Sequence, residues 1–108
     1  LFGTEVARIV GEVTDDTSLP RSIRKARQIE KAPTLSQQGR MLKIADKTSN
    51  LRAIIASPPE DWSDDRTREY VYWAQEVVAG CRGLNQRLEA EFDKAASEAK
   101  RLLTDNAD

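Results

Sequence analysis

The chain has 108 residues, 39% of them hydrophobic and 32% charged, with 17 basic against 18 acidic side chains and a net charge of −1. That size suits one domain or part of one, and the composition suits a small helical protein with a highly charged surface. The balanced charge lacks the basic excess of a nucleic-acid binder, and no apolar run approaches the roughly 18 residues of a membrane span, so neither nucleic acid nor membrane is expected as a partner.

Cys81 is the one cysteine and there is no histidine. An internal disulfide is therefore excluded, and a reducing, cytoplasmic setting is expected. Without a histidine to activate it, Cys81 reads as a small packing residue rather than a nucleophile. The chain opens LFGTEVARIV, with helical spacing almost at once and no initiator methionine. It is expected to be a cut or partly recorded protein.

About five helices are predicted. Val6, Ile9, Val10 and Val13 fall at the three-and-four spacing of an amphipathic helix, which should end in the turn-forming VTDDTSLP. Pro20 favours the start of a second helix through RSIRKARQIEKA, closing before Pro33. Ser36 is placed to cap a third helix over 37–56, halted by Ser57-Pro58-Pro59. Ser63 should cap a fourth, with Asp64 and Asp65 in its first turn, and with Tyr70, Trp73, Val77 and Val78 at core spacing before Gly80 and Gly83. Asn85 should cap a fifth, whose apolar stripe is Leu88, Phe92, Ala95 or Ala96, and Leu102. No segment alternates with period two for long enough to be a strand, so the class is all-α.

On the third predicted helix, Met41, Ile44, Ala45, Thr48, Leu51 and Ile55 share one broad face. Asp46 and Asn50 stack one turn apart elsewhere, with Lys43 close by. Such a polar strip can line a cleft. Spacing alone favours a solvated reading, with Asp46 and Asn50 exposed and Lys43 and Lys47 giving weak surface pairing. Arg21, Arg24, Lys25 and Arg27 make the start of the second helix basic, where free backbone amides also favour phosphate, although a solvated charged face has the same composition. Trp62, Tyr70, Tyr72 and Trp73 form an aromatic group around the fourth helix whose default role is packing, with at least one tyrosine hydroxyl free to reach solvent or ligand.

Five ordered segments go further. VTDD-x-x-LP, R-K-A-R-Q-I-E-x-A-P, K-I-A-D-K-x-x-N-L-R, PPEDWS with R-E-Y-x-x-W-A, and V-V-x-G-x-R-G-x-N-x-x-L-E follow one another between about Phe2 and Glu91. In order and spacing this resembles the small alarmone hydrolases, the metazoan-SpoT-homologue type of the RelA/SpoT family. The resemblance implies the C-terminal portion of an HD-domain helical phosphohydrolase. It implies removal of the 3′-pyrophosphate from guanosine tetraphosphate or pentaphosphate with a manganese ion. Asp46 then matches the family's last metal-ligand aspartate, and Asn50 the asparagine facing the nucleotide. Arg21 falls where the family carries a basic residue near substrate phosphate, Tyr70 matches a tyrosine bordering the pocket, and Lys43 is a looser substrate-binding match.

The family's remaining ligands, a histidine and a His-Asp pair, and the Glu-Asp pair that activates water, all precede the position of Leu1. One aspartate holds manganese too weakly for chemistry. The 108 residues alone are thus expected to be inactive and to leave an apolar face that a homodimer could cover. Two alternatives stand beside this reading: a related nucleotide phosphohydrolase such as an NADPH phosphatase, and a non-catalytic helical binding module.

Overall fold

The computed structural model describes residues 18–105, the last two through their backbone alone. The helix expected around Val6 to Val13 lies outside the described residues. Four α-helices follow: α1 Arg21–Lys31, α2 Gln37–Ala56, α3 Asp64–Ala79 and α4 Gln86–Asp105, with a 3-10 turn at Ala32–Thr34 between the first two. Among the described residues there is no strand, as the all-α expectation requires.

Local chemistry sets the helix ends. Pro20 precedes α1 with φ −57° and contributes no side-chain cap. Ser36 Oγ accepts the Gly39 amide at 3.0 Å and Ser63 Oγ accepts the Arg66 amide at 3.1 Å, so both predicted serine caps form. Asn85 Oδ1 takes the Leu88 amide at 3.1 Å and starts α4. Pro33 does not simply end α1; it sits in the 3-10 turn, where a ring without an N–H is tolerated.

The core is the three-way contact of α2, α3 and α4, with α2 and α4 the most extensive pair and α1 lying across α3. Ile44 and Leu51 come from α2, Val71, Ala74, Val77 and Val78 from α3, and Phe92 from α4, all fully buried. Ala95, Ala96 and Ala99 keep the α4 face small, which lets α2 approach closely. Cys81 is buried in the same cluster, and burial pushes its thiol above the ordinary value against the opposing effect of Lys43 and Arg40. It packs, as expected from sequence.

Three expectations about faces need correction. The α4 stripe ends at Leu103, 7% exposed, rather than Leu102, 36% exposed. Eleven residues make about three turns, so position 103 lies under Phe92 and position 102 is rotated out. Tyr72 leaves the aromatic group; it is 51% exposed, with the Lys100 ammonium 4.9 Å from its ring centroid. Lys43 and Lys47, read from sequence as surface residues, are 6% and 5% exposed, because α2 is flanked on both sides and their alkyl stems pack inward.

Candidate functional site

α1 and α3 cross so that two matched side-chain rows face one another. Arg21, Arg24, Lys25 and Gln28 fall at i, i+3, i+4 and i+7 on α1, while Arg66, Tyr70 and Trp73 fall at i, i+4 and i+7 on α3. With Trp62 from the turn before α3, they line an open cavity of about 280 Å³. Its lining includes four cationic side chains, three aromatic rings and no carboxylate.

The rings are ordered by direct contact. Trp62 and Tyr70 stand 5.8 Å apart between centroids, and Tyr70 and Trp73 stand 5.4 Å apart, both tilted. The Arg66 guanidinium covers Trp62 at 4.6 Å, and the Lys25 ammonium lies 5.1 Å from the Trp73 centroid. The Trp73 indole N–H donates to the Lys25 carbonyl at 3.1 Å, a bond spanning 48 residues that ties α1 to α3. Burial, reinforced by the neighbouring Arg21 and Arg66 charges and opposed by Glu69, pulls the Lys25 ammonium below its ordinary value. Cation crowding of this kind is relieved by an anion. The Nε atoms of Arg24 and Arg66 are buried there and find no hydrogen-bond partner among the described residues.

Tyr70 joins this cavity to α2. Burial, then the charge of Asp46, raise its phenol above the ordinary value, while a hydrogen bond from the Asn50 side chain works the other way. Asp46, Asn50 and Tyr70 therefore converge, and Arg21 shares the cavity with Tyr70. Asp46 is half exposed, its Oδ2 3.4 Å from the Lys47 ammonium. Lys43, one turn before Lys47 on the same strip of α2, is buried and does not line the cavity, and its charge acts on Cys81.

Sequence reading had grouped Arg24 and Lys25 as a basic segment and Trp62 with Trp73 as aromatics, without joining the groups. Arg66 was missed, although its position one turn before Tyr70 was the available signal. Among the described residues no three His, Cys, Asp or Glu side chains cluster to hold a metal ion. One carboxylate does not fit manganese by itself, which takes several oxygen or imidazole ligands. No helix among the described residues is long and apolar enough to cross a membrane.

This geometry has close relatives. The chain is 50% identical over 92 residues to the guanosine-3′,5′-bis(diphosphate) 3′-pyrophosphohydrolase MESH1 of Xenopus tropicalis, covering 85% of this chain and 51% of that protein. It is 48% identical over 88 residues to the human protein of the same name, covering 82% of this chain and 49% of that one. A solved metazoan orthologue of SpoT, described as hydrolysing ppGpp with a role in starvation responses, superposes with a TM-score of 0.84 at 41% identity, over 95% of this chain and 57% of its own. The chain belongs to the metazoan SpoT-homologue family. No family model matches it. It spans about half the length of the curated relatives it matches, and the all-helical architecture is that of the HD-type SpoT orthologue.

Proposed function

We propose that the protein carrying this chain is a guanosine-3′,5′-bis(diphosphate) 3′-pyrophosphohydrolase, with these residues forming its nucleotide-binding side. The observation that supports it best is the junction at Tyr70. There a cation-rich, aromatic-walled cavity meets the Asp46–Asn50 strip. A guanosine polyphosphate needs both parts: planar surface for base and ribose, and fixed cations for clustered phosphates.

Arg21, at the open start of α1, and Arg66 offset phosphate charge, and the backbone amides of the first α1 turn add donors without a competing side-chain cap. Tyr70 and Trp73 wall the ring system, and Asn50 orients the Tyr70 hydroxyl. Asp46 is the carboxylate on this surface suited to share a manganese ion, which when bound would polarise a phosphoryl oxygen and supply hydroxide. Its other ligands belong to polypeptide outside these 108 residues. The reading places the protein in the cytoplasm, where nucleotide substrates and a reduced Cys81 coexist.

Pyrophosphate release from guanosine tetraphosphate, measured with manganese on the full-length protein and on the 108-residue chain, tests this. The full-length protein turns over, Asp46→Ala lowers its kcat at least about a hundredfold, and the short chain is inactive. Absence of turnover by the full-length protein, or turnover indifferent to Asp46→Ala, overturns it. Inorganic phosphate release from NADPH by the full-length protein reads the competing substrate directly.

A further inference from the structure

Lys47 is the unusual member of the site. Adjacent residues on a helix do not face each other, yet the Lys47 ammonium lies 3.4 Å from Asp46 Oδ2. The lysine side chain is 6% exposed and the aspartate 52%. An ammonium is costly to bury, and a half-solvated carboxylate repays little of that cost. A methionine would fill the same space without the desolvation penalty, so packing alone does not call for lysine here. The second contact of the ammonium is the Trp73 indole, at 4.4 Å from the ring centroid, and that indole is anchored to the Lys25 carbonyl.

We propose that Lys47 is a positioning residue for Asp46. Seated on Trp73, its ammonium draws the carboxylate toward the Asn50–Tyr70 edge. It also offsets the carboxylate's charge, so that a polyphosphate can lie alongside. The consequence for ligand binding rests on the proposed nucleotide site; the Lys47–Asp46 link itself does not. Asp46 and an arriving polyphosphate are both anions and repel at close range, and a cation 3.4 Å from the carboxylate offsets much of that repulsion. Lys47 acts through Asp46 and touches no phosphate.

The test uses the full-length protein with EDTA, guanosine tetraphosphate as the probe, and calorimetry. Lys47→Met keeps the stem and should weaken binding about tenfold, while Lys47→Arg keeps the charge and should cost about twofold or less. In an Asp46→Asn background, Lys47→Met should cost about twofold or less, the residual attraction of a cation for the polyanion, because no carboxylate remains to be oriented. In the ligand-free protein, the Lys47 ammonium should give a slowly exchanging proton–nitrogen NMR signal that shifts in Asp46→Asn and in Trp73→Phe. Equal weakening by Lys47→Met in both backgrounds would mean direct phosphate contact, and no weakening would mean packing alone; either overturns the proposal. If the wild-type protein does not bind the tetraphosphate, the functional reading fails, and the ammonium signal still decides whether Lys47 holds Asp46.

Discussion

Gly80 ends α3 at φ −76° and ψ −9°, a conformation open to any residue. On backbone grounds Gly80→Ala would stabilise the protein by about 0.4–1 kcal/mol, by narrowing the unfolded ensemble. The surroundings reverse that sign. An alanine Cβ would lie 2.9 Å from Pro33 Cδ and 3.0 Å from both Pro33 Cγ and Ala32 Cβ. Neither neighbour can swing away, since one is a closed ring and the other is fully buried. Relief requires the 3-10 turn to retreat from α3 and to carry α1 with it. Overpacking against rigid partners costs about 1–3 kcal/mol, so Gly80→Ala should destabilise by about 1–2 kcal/mol net.

Urea unfolding followed by circular dichroism measures this. Pro33→Ala removes the two closest ring carbons, so the double variant should recover at least about 0.5 kcal/mol beyond additivity. Because α1 carries Arg21 and Lys25, Gly80→Ala should also weaken tetraphosphate binding by the full-length protein. Gly83 is the control: its φ is +101° and nothing lies within 4 Å of an added Cβ. Gly83→Ala should cost about 1–2 kcal/mol through backbone strain and be indifferent to Pro33. A neutral or stabilised Gly80→Ala, or strict additivity with Pro33→Ala, would refute the steric argument.

Other outcomes follow from the same packing. Phe92, the largest fully buried side chain, belongs to the one core cluster shared by α2, α3 and α4, so Phe92→Ala should cost about 3–5 kcal/mol in the same unfolding assay. Ser63→Ala removes the acceptor for the Arg66 amide and should cost about 1 kcal/mol, with faster hydrogen exchange confined to the first turn of α3. Burial first, and then the Asp46 charge, hold the Tyr70 phenol above its ordinary 10.0, so the folded state retains a proton that the unfolded chain releases. That stabilisation is complete below pH 10 and is lost as pH rises through the raised value. Cys81 has the same sign from 9.0 upward, so the difference between wild type and Tyr70→Phe across this alkaline range isolates the tyrosine. An unchanged alkaline slope in Tyr70→Phe would count against it.

The helix boundaries were legible in the sequence because they depend on near neighbours. Ser36, Ser63 and Asn85 each cap an amide three residues along the chain, and a proline or glycine acts on its own backbone. The Asp46–Asn50 stacking was equally legible, since four residues make about one turn. That Tyr70 meets this pair was implied by family resemblance and not by spacing, because no periodicity on one helix reports which face of another lies opposite. Tertiary structure alone decided that Lys43 and Lys47 are buried, that Leu103 displaces Leu102 from the core, that Tyr72 faces outward, and that Arg66 joins Arg21 in one cavity. Each of these depends on the crossing of helices distant in sequence, and the Trp73 to Lys25 bond, 48 residues apart, is how α1 and α3 hold that crossing.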